Sequence, residues 1–196
     1  MTLPAMSTQP DFISPDEYLR RERMSDFRSE YLGGRIVAMS GASRAHNLIV
    51  FNLGGHLHAH LRGQGCEGYV ADMKVRLAGS LRYVYPDLVV VCGEPEFQDE
   101  KEDVVANPLL VIEVLSDSTE AFDRGEKWNG YRRIPSLAEY VLIAQHRPQV
   151  ERFVRQGELW TYDSAEGLDA AVTLSSIGLT LPLHEIYEGV PLSDHG

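Results

Sequence analysis

Two apolar runs constrain this chain most: Leu88-Val89-Val90-Val91 and Leu109-Leu110-Val111-Ile112-Glu113-Val114-Leu115. Both are continuous rather than alternating. A strand with one wet face alternates polar and apolar residues, whereas a strand covered on both faces reads as an unbroken run. The runs therefore predict strands inside a sheet that carries a layer on each side. A βαβ-like order, then a meander of strands, predicts one α/β domain with a mixed sheet. With 196 residues the chain is long enough for one such domain and a sizeable core. The domain is expected over residues 11–192, with a frayed tail over 1–10 and a loose end over 193–196.

Local signals fill in the order. Ser14-Pro15-Asp16-Glu17 is a helix start: a cap, a proline in the first turn, then acids at the positive dipole end. That helix is predicted to about Met24, with Tyr18 and Leu19 facing inward. Gly33-Gly34 between two short apolar stretches predicts a β-hairpin. Apolar residues recur at helical spacing from Ala45 to about Leu61. The tandem Gly54-Gly55 inside that helix costs about 1 kcal/mol each relative to alanine, a cost tolerated where a neighbouring element packs closely. Val70, Met73, Val75 and Leu77 suggest a strand or a bent pair, and Gly79-Ser80 a turn. Ser118 or Thr119 can cap a helix running to about Arg133, stopped by Ile134-Pro135. Residues 138–144, 149–155 and 158–162 read as the meander, 172–174 as a short strand and 183–187 as a short helix.

Composition excludes some classes. No apolar run approaches the roughly 20 residues of a membrane helix. Residues 1–10 lack a basic stretch followed by an apolar one, so no secretory signal is expected. Cys66 and Cys92 lie far apart without Cys-x-x-Cys spacing and read as reduced thiols of a cytoplasmic protein. The net charge is −11, of which residues 94–103, read as a solvated loop, contribute −5 through six acids and one lysine. No basic stripe stands out, which argues against tight phosphate binding, since such contacts come mostly from Lys and Arg.

Glu113 interrupts an otherwise apolar strand. A buried carboxylate must pair, shift its pKa, bind metal or face a cleft at a strand end. A strand-edge acid paired with an arginine is the structural alternative. Asp87 follows Pro86, which fits a strand start, and so stands at the mouth of the first run. If the two strands are neighbours, both acids reach one hard cation, which takes one or two carboxylates plus water and phosphate oxygens. Asp123, Lys127 and Tyr131 are spaced four apart and share a helix face. They are either a surface ion pair with a core tyrosine or a group reaching back to the acids. His56, His58 and His60 alternate on a helix and point apart, which argues against a zinc site. Trp128 and Trp160 read as core or interface anchors, and Ser116 and Asp117 as turn residues.

Taken together, Tyr85-Pro86-Asp87, Ile112-Glu113-Val114-Leu115-Ser116-x-Ser118-Thr119, Asp123, Lys127 and Tyr131 resemble the Uma-two family of endonucleases. That family lies within the PD-(D/E)XK restriction-endonuclease-like superfamily. Glu30-Tyr31, Gly34, Ile36, His46 and Pro135-Ser136-Leu137-x-Glu139-Tyr140 extend the resemblance over residues 15–189. It implies a three-layer restriction-endonuclease-like fold and a Mg²⁺ site, or Mn²⁺ in its place. Asp87 and Glu113 would be the ligands, with the Val114 carbonyl as a third. The superfamily's lysine, two residues after the glutamate, is Leu115 here, and the resemblance implies that Lys127 supplies the ammonium. His46 is either a site or phosphate contact or a capping residue, and Glu30 is either an outer ligand or, preferably, a hairpin acid. DNA is the implied substrate and a homodimer the implied assembly, with aromatic surface on the meander for an interface. The missing lysine and the charge of −11 support a second reading: a nuclease-fold module that binds nucleic acid or protein with little or no catalysis. Nothing specifies a sugar or peptide pocket.

Overall fold

The computed structural model describes residues 12–79 and 81–192. The expected tail, the loose end and Ser80 lie outside them. The chain runs α1 (Pro15–Glu22), β1 (Ser29–Leu32), β2 (Arg35–Ala38), α2 (Arg44–Leu61), β3 (Cys66–Val70), β4 (Lys74–Arg76), β5 (Arg82–Val84), β6 (Leu88–Cys92), β7 (Val104–Val105) and β8 (Leu110–Leu115). It continues through α3 (Glu120–Phe122), a π-helical turn (Asp123–Lys127), α4 (Trp128–Tyr131), β9 (Glu139–Ala144), β10 (Gln149–Gln156), β11 (Leu159–Glu166), β12 (Ala171–Leu174), β13 (Leu179–Pro182) and α5 (Leu183–Ile186).

The central sheet has the order β11-β10-β9-β8-β6-β3. It is mixed: β8 and β9 are parallel, and β6 lies antiparallel to β8. The two apolar runs are thus neighbours inside it, as their composition predicts. Successive strand residues face opposite sides. Leu88, Val90, Leu110, Ile112 and Val114 pack against the inner stripe of α2, formed by Ala45, Ile49, Leu53, Leu57 and Leu61. Val89, Val91, Val111 and Leu115 face the other way, against Val75, Leu77, Val84, Tyr131 and Tyr140. Alternation therefore sends Glu113 to this second face, with Val111 and Leu115.

The second layer holds a smaller sheet, β2-β1-β5-β4-β7, and the segment from α3 to α4. Gly33 and Gly34 take positive φ (61° and 99°), which a two-residue hairpin turn requires, and join β1 to β2. Ser14 caps α1 by accepting from Glu17 N, and Tyr18 and Leu19 are buried. Trp128 stacks on Phe153 (4.4 Å) and meets Trp160 edge-on (4.9 Å). The tryptophans are anchors within the chain; Leu159 and Tyr162 of the meander remain exposed. Among the described residues no helix is long and apolar enough to cross a membrane.

Four expectations need correction. Cys66 and Cys92 are not separate thiols: they sit directly opposite across β3 and β6, Cα–Cα 4.0 Å, and form a disulfide. A sequence separation of 26 conceals a pairing that only strand register creates. The helix expected after Ser118 or Thr119 to about Arg133 is helical over 120–131 but takes a π turn at Asp123–Lys127. Gly54 and Gly55 meet no close neighbour: a Cβ at Gly55 would find nothing within 4 Å, and one at Gly54 only Val70 Cγ2 at 4.0 Å. The acidic stretch 94–103 is not simply solvated, because Asp99 and Asp103 clasp Arg23, and Asp103 also holds Lys74. The short strands β7 and β13 carry no sequence signal strong enough to find them.

A close approach occurs at a different glycine. A Cβ at Gly130 would lie 2.6 Å from Leu77 Cβ. Gly130→Ala is therefore expected to lower stability by about 1–3 kcal/mol through overpacking. Gly55→Ala should raise it by up to about 1 kcal/mol through helix propensity alone. Urea unfolding of both variants measures the difference, and equal midpoints would contradict this packing.

Candidate active site

The antiparallel register of β6 and β8 sets the site. Leu88 lies opposite Ile112, so Asp87 and Glu113 stand side by side at the mouth of the pair. Pro86 offers no N–H at this point, so the ladder ends here. The Asp87 side chain continues it instead: Oδ2 accepts a hydrogen bond from Val114 N at 2.6 Å. Its Oδ1 lies 3.1 Å from His46 Nε2. His46 comes from the first turn of α2, where Ser43 Oγ accepts from His46 N (3.0 Å) and donates to Gln145 Oε1 (2.6 Å). His46 Nδ1 is buried with no hydrogen-bond partner among the described residues.

Glu113 is only 3 % exposed. Its Oε1 accepts from Lys127 Nζ at 3.2 Å and from Tyr131 OH at 3.0 Å. Lys127 Nζ also lies 3.5 Å from Glu30 Oε1 and 2.9 Å from Asp123 Oδ1, the last an ion contact without hydrogen-bond alignment. Glu30 in turn accepts from Tyr85 N at 3.3 Å, which ties the hairpin to the Tyr-Pro-Asp segment. The arginine partner that would have made Glu113 a plain structural acid is absent from this set. Glu30, read first as a hairpin acid, is turned inward to the lysine.

The π turn explains how Asp123, Lys127 and Tyr131 all reach this point. Widening the helix lets Trp128 N bond to Asp123 O, five residues back. Asp123 O also accepts from Tyr140 OH at 3.0 Å. Tyr140 belongs to the Pro135-to-Tyr140 motif, but residue type alone gives no sign that its hydroxyl secures the turn. Leu115 is buried in the second core, on the face that Glu113 shares. An ammonium there would have to enter that core; Lys127 comes in from the helix above. Ser116 and Asp117 shape the turn after β8: Ser116 O accepts from Thr119 N and Glu120 N, while Asp117 reaches His146 at 3.4 Å. His56 points to Glu185 (3.4 Å) and His60 to Ile177 O (2.8 Å), away from the site.

Burial pushes the Glu113 carboxyl well above the usual range, and Asp123, Asp87 and Glu30 add repulsion that Lys127 opposes. Burial raises Glu30 as well, again against Lys127. For Lys127 burial alone would lower the pKa; the attraction of Glu113, Glu30 and Asp123 outweighs it and holds the ammonium charged. Tyr131 is raised by burial and by Glu113, so it stays a hydrogen-bond donor.

One lysine thus faces Glu30, Glu113 and Asp123, with Asp87 beside them. Among the described residues no three His, Cys, Asp or Glu side chains form a ready-made cage. Mg²⁺ and Mn²⁺ do not require one, because they bind one or two carboxylates and complete their shell with water. The donor set, hard oxygens from adjacent strands with unbalanced negative charge, suits such an ion.

Comparison with known proteins bears on this geometry. Residues 15–184 match the family described as "Uma2: Putative restriction endonuclease". The Synechocystis sp. protein "Uncharacterized protein sll1609" is 39% identical over 164 residues, 83% of this chain and 93% of that protein. A second from that organism, "Uncharacterized protein slr1290", is 34% identical over 182 residues, 91% and 93% of the two chains. A crystal structure from Anabaena variabilis, described as "a putative nuclease belonging to DUF820", superposes with a TM-score of 0.71 at 18% identity. It covers 91% of this chain and 99% of its own, a likeness of fold.

The raised Glu113 carboxyl has a measurable consequence. A group whose folded pKa exceeds its ordinary 4.5 contributes its full stability below that value, and loses it as pH rises through the folded pKa. Glu113→Gln leaves Lys127 with two carboxylates, Glu30 and Asp123, so the ammonium stays neutralised. In chelator, the variant should exceed wild type in stability at about pH 8 and lose that advantage at about pH 4. Urea unfolding at both pH values decides it; a gap independent of pH would contradict the assignment.

Proposed function

The chain belongs to the Uma2 family, and on that premise we propose that it is a metal-dependent endonuclease hydrolysing phosphodiester bonds of DNA. The observation that carries the proposal is the meeting of Lys127 Nζ with Glu113 Oε1 at 3.2 Å, since Leu115 occupies the superfamily's lysine position. Asp87 and Glu113, with the Val114 carbonyl, would hold Mg²⁺ or Mn²⁺. When bound, the ion would polarise the phosphate and lower the pKa of a bound water.

The chain's own residues do the rest. The Val114 N–H and His46 fix the Asp87 carboxylate from both oxygens. Tyr131 donates to Glu113 and holds its rotamer. Lys127 stays protonated, so its role is electrostatic: it faces negative charge building on the phosphate rather than shuttling a proton. Glu30 and Asp123 keep the ammonium in place. Pairing of two chains, to cut both strands, belongs to the same reading and rests on the resemblance alone.

A second reading has one observation in its favour: Lys127 is already matched by three carboxylates, on a chain of net charge −11. It makes the chain a nuclease-fold binding module without efficient chemistry.

Supercoiled plasmid and oligonucleotides incubated with Mg²⁺ or Mn²⁺ separate the two. The endonuclease reading expects cutting that chelator abolishes. Asp87→Ala, Glu113→Ala and Lys127→Met, each with wild-type circular dichroism, should cut about 100-fold less or worse, the usual loss when a preorganised charge is removed. Absence of cutting, or cutting indifferent to these variants, would leave the binding module as the better account.

A further inference from the structure

The outer face of α2 carries a stripe that the catalytic reading leaves unused. Its inner stripe is buried. Arg44, Leu48, Phe51 and Gly55 recur at spacings of three and four on the opposite side, and with Val70 of β3 they line an open cleft of about 720 Å³. Phe51 is 78 % exposed. Beside it the two glycines leave a floor without side chains, despite their cost to the helix. Past Gly54 and Val70 the cleft continues into a second hollow of about 500 Å³, which reaches Arg62 beyond the end of the helix.

Charge and position give this cleft a direction. Several arginines elsewhere are held by acids, as Arg23, Arg28, Arg82, Arg124 and Arg152 are, and Arg155 is taken up by backbone carbonyls. Among the described residues Arg44 and Arg62, one near each end of the cleft, have no carboxylate partner. The one acid in its lining, Glu67, is bound by Tyr69 OH at 2.6 Å. At one end Arg44 is two residues from His46, which contacts Asp87. There too Ala71, next to Val70, donates its N–H to Asp87 O at 2.9 Å. The cleft therefore opens at the candidate active site.

We propose that this cleft binds single-stranded nucleic acid, with bases stacked on Phe51 over the glycine floor and phosphates at Arg44 and Arg62. The proposal rests on the nuclease reading of the adjacent site and names its substrate class. Duplex affinity comes from many phosphate contacts, and a chain of net charge −11 opposes them with its overall field. Stacking on an exposed aromatic ring supplies affinity with little charge and tolerates any base. Two arginines at the ends of an apolar, acid-poor cleft match a strand whose bases face inward and whose backbone faces out.

The test is fluorescence anisotropy of labelled oligothymidine and of a matched duplex, in chelator so that no cutting intervenes. Phe51→Ala and Gly55→Leu are the variants. Both positions face open space, and a Cβ at Gly55 meets nothing within 4 Å, so neither should disturb the fold. The single strand should bind more tightly than the duplex, and each variant should weaken it by about tenfold or more, the scale of one lost base stack. Arg44→Ala should lower the salt slope of binding by about one. Equal or tighter duplex binding, no binding, or affinity unchanged in both variants would overturn the proposal. So would a dimer that Phe51→Ala splits, since the cleft would then be a contact between copies. Strand binding through Phe51 by a protein that cuts nothing would refute the endonuclease and keep this inference. Cutting indifferent to Phe51 would do the reverse.

Discussion

The buried pair of Glu113 and Lys127 is the interaction on which the arrangement depends. Glu113 comes from the central sheet and Lys127 from the segment above it, so the pair joins two layers through charge. The lysine is the member that cannot be removed: without it Glu113, Glu30 and Asp123 would be buried with no opposite charge, a loss that typically costs about 3–5 kcal/mol. The surroundings are built to keep both. Tyr131 satisfies the carboxylate, Glu30 and Asp123 flank the ammonium, and Tyr140 secures the π turn that carries the lysine. Acids outnumber the lysine within the cluster, and in the proposed reading that imbalance would draw a divalent cation to Asp87.

Much of this was legible in the sequence, and the residues explain why. The runs 88–91 and 109–115 could only be two-faced strands, and the structure covers them on both sides. Gly33-Gly34, Ser14 and the 3.6-residue period from Ala45 to Leu61 act locally, so the elements they predict are present. Asp87, Glu113 and Lys127 could be named because an acid in an apolar run and a lysine with family spacing are visible in one dimension.

What stayed hidden is set by tertiary register. Glu30 reads as an ordinary hairpin acid until β1 is placed under Lys127. The disulfide depends on Cys66 falling opposite Cys92 in an antiparallel pair. The π turn has no residue signature, since it answers to the distance that Lys127 must span and to a hydroxyl contributed from β9. Gly54-Gly55 misled in an instructive way: helix-breaking glycines suggest a tight neighbour, yet here they keep a cleft open. The same ambiguity applies to charge. A net −11 says little about nucleic acid until one asks which arginines are already matched.

The central claim is that the charge imbalance around Glu113 and Lys127 is a site for a divalent cation. Calorimetric titration of Mn²⁺ into the protein tests it without any substrate. The account predicts one saturable binding event per chain, lost in Asp87→Asn and Glu113→Gln and retained in Phe51→Ala. Heat absent from the wild type, or binding undiminished when Asp87 and Glu113 are neutralised, would contradict it.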